Sequence, residues 1–196
     1  IGTANASRMV VIQGGAANGS ASLTAPTSVT IGGITAGLMR NTSNYVAYAK
    51  VPTGTTATIV ISGSTGTYTT QIYTLNTVNT APTQSLIAST IIPLNNSNSA
   101  TMTQNPVDTE GVFIWGTFYA GGLAALPRAG TGLSTTNPNG VTYLLNWGIG
   151  GTASAGFMGY SECTTTDSKY ARATGVNNPG KADTLLYSVF TYFQAN

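Results

Sequence analysis

Short runs of β-branched and aromatic residues alternate along the chain with clusters of Gly, Asn, Pro, Ser and Thr. This pattern is typical of strands joined by turns. No window carries a capped apolar stripe at helical spacing, and the best helical candidate, 122–128, is interrupted by Pro127. The sequence therefore predicts an all-β fold, a two-sheet antiparallel β-sandwich of jelly-roll type with about ten strands. The predicted strands are 9–13, 28–31, 45–51, 56–62, 67–76, 85–92, 100–103, 111–120, 141–147, 153–163 and 183–194.

Two of these runs also predict how deeply their strands are buried. Ile59 and Ile61 fall on one face of the strand at 56–62, and Val60 breaks the alternation by placing an apolar residue on the other face. We expect this strand to be buried on one side and partly on the second. The run 183–194 is apolar on both faces, which predicts a central strand or one covered by a neighbouring subunit.

Glycine-rich and Asn-Pro segments predict where the chain turns. The segment 62–66, SGSTG, lies between two strong strand patterns and predicts a hairpin loop whose glycines take positive φ. The segments 137–140 and 177–180 predict turns before the strands that follow them. No linker or internal repeat divides the chain, so we expect one domain over 1–196, with 1–25 as an extended arm.

Charged residues are scarce, at 6% of the chain against about 25% in typical soluble proteins. A polar surface built from Thr, Ser, Asn and Gly is common in secreted, cell-surface and virion proteins and unusual in cytoplasmic enzymes. The net charge of +2, without a basic run, argues against a nucleic-acid partner. The apolar runs are far shorter than a membrane span, so we expect no membrane partner.

The chain's beginning and its cysteine bear on how it is made. It starts at Ile1 without a basic-then-apolar leader, and we expect a processed product or an ordered fragment. Cys163 is the lone cysteine, which excludes a disulfide within the chain. We interpret it as a small buried hydrophobic residue, with a bridge to a neighbouring copy as the alternative.

The residues needed for common enzyme chemistry are few. Histidine is absent, which excludes His-based triads, His metal sites and His general bases. Asp108 and Glu110 stand at a strand entrance, where charges are usually solvated, and with Asn105 they are the best calcium candidates although no EF-hand spacing is present. We therefore predict no enzyme activity, no metal and no cofactor. The carboxylates are Asp108, Glu110, Glu162, Asp167 and Asp183.

Aromatic residues cluster in the second half of the chain, and sugar-binding sandwiches use such rings as stacking platforms. Packing in the core and at subunit interfaces, where Tyr and Trp are enriched, is the favoured interpretation. Trp147, beside Gly148 at a strand end, is the first candidate for a ligand-stacking ring, and Trp115 is the second. The cluster comprises Trp115, Phe118, Tyr119, Tyr143, Trp147, Phe157 and Tyr160.

From about Tyr45 onward the chain resembles phage virion-surface β-sandwich domains of head-fibre, capsid-decoration and tail-fibre type. The resemblance lies in YVAYAKVPTG at 45–54, followed by the Thr/Ile/Val strand TTATIVIS at 55–62. The strands EGVFIWG at 110–116 and TLLYSVF at 184–190 are similar to core strands of those domains. The resemblance implies a virion structural role in many copies, with contact to host-surface glycans.

These patterns together predict a structural or binding protein that works through its surface and its copies. We expect a homo-oligomer on the outside of a virion, bound to a capsid or tail protein and contributing to host adhesion. A carbohydrate-binding module or lectin-like adhesin is the alternative, and a pilus or surface-layer subunit on a bacterial cell is a third. A neutral surface suits each of these, because few charges lose water when subunits associate.

Overall fold

In the computed structural model the described part of the chain is all-β, in antiparallel sheets and without a helix. None of its elements is a helix long and apolar enough to cross a membrane. The described residues are 1–16, 24–41, 44–66, 68–76, 78, 82, 84–92, 99–104, 111–120, 142–148, 154–163, 169–174 and 184–195. The strands are β1 (Met9–Ala16), β2 (Ser28–Ile31), β3 (Ile34–Thr35), β4 (Gly37–Arg40), β5 (Asn44–Lys50), β6 (Ile59–Ser62), β7 (Tyr68–Leu75), β8 (Gln84–Ile92), β9 (Ser99–Gln104), β10 (Gly111–Ala120), β11 (Thr142–Gly148), β12 (Ser154–Cys163), β13 (Lys169–Thr174) and β14 (Thr184–Gln194).

Every predicted run contains a strand, and the structure adds β3, β4 and β13. The first two were missed because they are short and lie beside glycines, which usually mark turns. Pairing makes them strands: β3 pairs with β2, and β4 pairs with β5. The helical candidate 122–128 and the turns at 137–140 and 177–180 lie outside the described residues.

The strands form four sheets. The central sheet has the order β4-β5-β1-β7, and the small sheet has the order β3-β2-β6. The five-stranded sheet has the order β11-β12-β10-β14-β8, and β13 pairs with β9 in a two-stranded sheet. The all-β antiparallel class is thus confirmed, whereas a jelly-roll sandwich of about ten strands in two sheets is not confirmed.

Strand β1 is buried on both of its faces. Val11 packs with Ile114 of β10 and Phe193 of β14 in one core cluster. On the opposite face, Val10 and Ile12 pack in a second cluster with residues of β2 and β5. A strand covered on both sides needs an unbroken apolar run, which is what the sequence MVVI at 9–12 supplies.

Part of the stretch 1–25, for which an extended arm was predicted, is therefore a central strand. Strand β1 pairs along its whole length with β7 and along most of it with β5.

The prediction of a doubly covered final strand is confirmed for its last part. Strand β14 lies between β10 and β8, and the consecutive residues Thr191, Tyr192 and Phe193 are all fully buried. Successive strand residues point to opposite faces, so burial of three in a row requires cover on both sides.

The predictions for β6 and its loop are partly wrong. Val60 and Ile61 are 49% and 37% exposed, because β6 is an edge strand of the small sheet and not a covered one. The loop 62–66 does not form a hairpin, since β6 pairs with β2 and the following β7 pairs with β1. Gly63 and Gly66 do take positive φ, at 71° and 92°. The positive φ of these glycines was predicted correctly, but β6 and β7 each pair with a strand more distant in sequence and not with each other.

Candidate functional site

The two tryptophans proposed as stacking rings lie on either side of β12. Trp115 of β10 pairs with Gly159, and Trp147 of β11 pairs with Gly156. Positions three apart on one strand belong to opposite faces of a sheet. The register therefore does not bring the two tryptophan positions together as one platform, and a ligand-stacking role for either stays a prediction.

Aromatic residues opposite glycines recur elsewhere in the fold. Tyr45 of β5 pairs with Gly14 of β1, and its ring lies where a Cβ on Gly14 would be. Tyr48 pairs with Gly37 of β4 in the same manner. In both pairs the tyrosine ring lies over the glycine backbone, in space that the side chain of a larger residue would have filled. Each tryptophan position likewise has a glycine opposite it in the register.

The polar candidates for chemistry are mostly outside the described residues. This applies to Asn105, Asp108, Glu110, Asp167 and Asp183. Within the described part, no group of three His, Cys, Asp or Glu residues could hold a metal ion.

The remaining two polar candidates have register positions on β12. Glu162 pairs with Val112, and Cys163 pairs with Gly111. The predictions of no metal and no catalytic pair, and the predicted state of Cys163, stay predictions.

A groove of about 870 Å³ opens beside β6 and β7, and we call it the β6–β7 groove. Its floor and walls come from the first residues of the chain, from the approach to β6 and from the end of β7. Among the described residues of this lining there is no charged side chain and no aromatic ring, and apolar side chains are combined with hydroxyl and amide groups. The lining residues are Ile1, Gly2, Thr3, Ala4, Asn5, Thr56, Ala57, Ile59, Ile72, Thr74 and Asn76.

One wall of this groove is held by Arg8, which is fully buried. Its guanidinium donates only to backbone carbonyls, so carbonyl dipoles replace water around a buried positive charge. These bonds tie the chain start to the segment 51–54, and they make Arg8 a positioning residue for the groove wall. The acceptors are the carbonyl oxygens of Val51 (2.8 Å from Nε), Ile1, Gly2 and Thr3 (3.4, 2.9 and 2.8 Å from Nη1), and Thr53 and Gly54 (2.7 and 2.8 Å from Nη2).

Sequence reasoning did not single out Arg8. The available signal was its place directly before the apolar run 9–12, since a cation beside a buried strand needs acceptors close by. Those acceptors are main-chain oxygens of remote segments, and the sequence carries no mark of them.

The groove adjoins two strand edges that bear exposed apolar residues. Strand β6 ends the small sheet and strand β7 ends the central sheet. Ile72 of β7 is 50% exposed, and Val60 and Ile61 of β6 are also exposed. Of these, Ile72 lines the groove, and an exposed large apolar side chain in a groove marks a surface that can contact another molecule.

A pair formed by the buried Tyr73 and the partly buried Tyr160 lies on the other side of β7. The Tyr73 hydroxyl donates to Oε1 of Gln13 at 3.0 Å, and its ring meets that of Tyr160 edge-on with centroids 6.2 Å apart. The packing interpretation of the aromatic cluster is thus confirmed for Tyr160. Burial raises the pKa of Tyr73, and the neighbouring Tyr160 acts in the same direction. Burial also raises the pKa of Tyr45.

These shifts predict loss of stability in alkali. The folded state keeps the Tyr73 proton above pH about 10, where the unfolded chain releases it. The stabilising effect is complete below pH about 10 and falls by about 1.4 kcal/mol per pH unit above it for this one group. Urea unfolding from pH 8 to 12 should show a steeper decline for the wild type than for Tyr73→Phe. Equal slopes in the two proteins would contradict the assignment.

The β6–β7 groove is the described surface best suited to contact another molecule, because it is concave, partly apolar and without a charged side chain among its described lining residues. Comparison with protein-family models, curated proteins and solved structures gives no match for this chain.

Proposed function

We propose that this chain is a structural protein of the virion surface, of capsid-decoration, head-fibre or tail-associated type. It acts by multivalent contact with its own copies and with a capsid or tail protein, and it contributes to host adhesion. The observation that carries this proposal is the partly apolar β6–β7 groove, whose described lining has no charged side chain and includes the half-exposed Ile72. Association through such a surface desolvates almost no charge. The resemblance of the chain to phage surface domains supports the virion as its place.

The proposal includes a fold, a single-domain β-sandwich of jelly-roll type. The central sheet and the five-stranded sheet are its two layers. Met9, Val11 and Tyr73 of the first pack in one cluster with Ile114 and Phe193 of the second, which supports this arrangement. The small sheet then covers the outer face of the central sheet through the second cluster.

The proposal also excludes catalysis. No histidine is present, and five carboxylates are spread over a chain of 196 residues. In the described part, Arg8 is the buried residue with a charged side chain, and its guanidinium N–H groups donate to backbone carbonyls. A cation held in this way stabilises a fold and has no free donor to offer a substrate.

A carbohydrate-binding module is the alternative that the groove bears on directly. Thr3, Asn5, Thr74 and Asn76 offer groups that could bond to sugar hydroxyls. The described part of the lining contains no aromatic ring, whereas sugar sites use such rings as stacking platforms. The groove therefore favours a protein partner.

Immunogold electron microscopy of particles purified from the source tests the proposal. Antibodies against the chain should label capsid or tail surfaces at regular positions, and light scattering should give a defined oligomer for the purified chain. Unlabelled intact particles would contradict the virion role. A stable monomer that binds polysaccharides on a glycan array would instead support the carbohydrate-binding alternative.

A further inference from the structure

Among the described residues, strand β7 is hydrogen-bonded to another strand on one side and open on the other. It pairs with β1, and it is the last strand of the central sheet in the described part of the chain. An edge strand presents a row of main-chain N–H and C=O groups that can form a ladder with another strand. The open side of β7 is therefore suited to pair with a partner segment in extended conformation.

This edge lacks the features that usually prevent edge pairing, which are charge, proline and short length. The opposite edge of the same sheet, β4, has four residues and carries Arg40. Strand β7 has eight residues, YTTQIYTL, without a charge or a proline. No charged residue occurs anywhere between Lys50 and Asp108. Nothing along β7 therefore repels a second strand.

The exposed face of β7 shows which strand suits it. Ile72 lies near the middle of the strand and is 50% exposed, and Thr70 and Thr74 are exposed on either side of it. The order Thr, Ile, Thr is the same in both directions along the chain. Such an edge is complementary to its own copy in antiparallel orientation.

We infer that two copies of this chain pair antiparallel along the open edge of β7, with Ile72 of each copy at the two-fold axis. The inference deepens the proposed function, and it rests on that function for the expectation that the chain works in copies. A two-fold axis normal to the sheet keeps residues of one face together. Each Ile72 then covers the other at a Cβ separation of about 4.5–5.5 Å, and each Thr70 meets a Thr74. The two central sheets become one continuous sheet.

Light scattering of matched lysine variants tests this pairing. The wild-type chain should have twice the chain mass of 20.0 kDa, and Ile72→Lys should have that mass once. Two lysines facing each other at the axis should raise the dimer Kd by about tenfold or more. Ile34→Lys is the control, because Ile34 is 42% exposed on the edge strand β3 and lies away from β7. It should remain dimeric, and both variants should keep the wild-type circular dichroism.

Oxidative crosslinking gives a second readout. Ile72→Cys should form a covalent dimer and Ile34→Cys should not, with the wild type reporting any background from Cys163. A wild-type chain that is monomeric at roughly 0.1 mM would overturn the inference. An Ile72→Lys variant with the wild-type mass would do so as well. Neither result changes the immunogold labelling, so failure of this interface is distinguishable from failure of the virion role.

Discussion

Replacing Arg8 by methionine is expected to lower the free energy of unfolding by about 3–5 kcal/mol. Methionine fills much of the same volume but donates no hydrogen bond. The Val51 carbonyl would be left without this donor at a buried position, and those of Thr3 and Thr53 would lose it at part-buried positions. The total stability of a domain is about 5–15 kcal/mol, so the loss should be evident in a urea titration.

Arg40→Met is the matched control. Arg40 is exposed, and its hydrogen bond to the Ala25 carbonyl is long, at 3.3 Å. We expect a change within about 0.5 kcal/mol for this variant. The loss of stability in Arg8→Lys should lie between those of Arg8→Met and Arg40→Met, since an ammonium keeps the charge but has fewer donors than a guanidinium. Equal shifts in the urea midpoints of Arg8→Met and Arg40→Met would refute the role assigned to Arg8.

The second large effect is expected for Gly14→Ala, at about 2–3 kcal/mol of destabilisation. A Cβ at this position would overlap the Tyr45 ring. That ring is fully buried and packs edge-on against Tyr68 with centroids 5.8 Å apart, so it has no room to move away. Thermal unfolding followed by circular dichroism would measure the cost.

Gly37→Ala provides the comparison at a similar cross-strand pair. Tyr48 lies over Gly37 but is only half-buried, so its ring can shift towards solvent. We expect about 1 kcal/mol for this change. Gly14→Ala should also destabilise the fold less in a Tyr45→Ala background, because the ring that the new Cβ would overlap is then absent. If Gly14→Ala were no more costly than Gly37→Ala, the tight fit under Tyr45 would be disproved.

The strands were predictable because each is marked by its own residues. The run at 9–13 is rich in β-branched residues and was predicted as a strand, and the run at 183–194 is apolar on both faces and was predicted as a strand with cover on both sides. The candidate site was much less predictable. Trp115 and Trp147 attracted notice as large rings, whereas the groove is lined by small residues that share no motif. Arg8 was overlooked because its partners are main-chain oxygens, which every residue possesses.

The sequence by itself determined the all-β class, the places of most strands and the positive φ of Gly63 and Gly66. These features depend on alternation, β propensity and the absence of a Cβ, which are properties of single residues and close neighbours. Only the tertiary structure decided that β6 and β7 join different sheets, that β7 is an edge and that Arg8 is buried. Backbone hydrogen bonds do not depend on residue type, so many pairings suit the same short strands. The choice among them is made by the combined packing of distant segments, which no local pattern records.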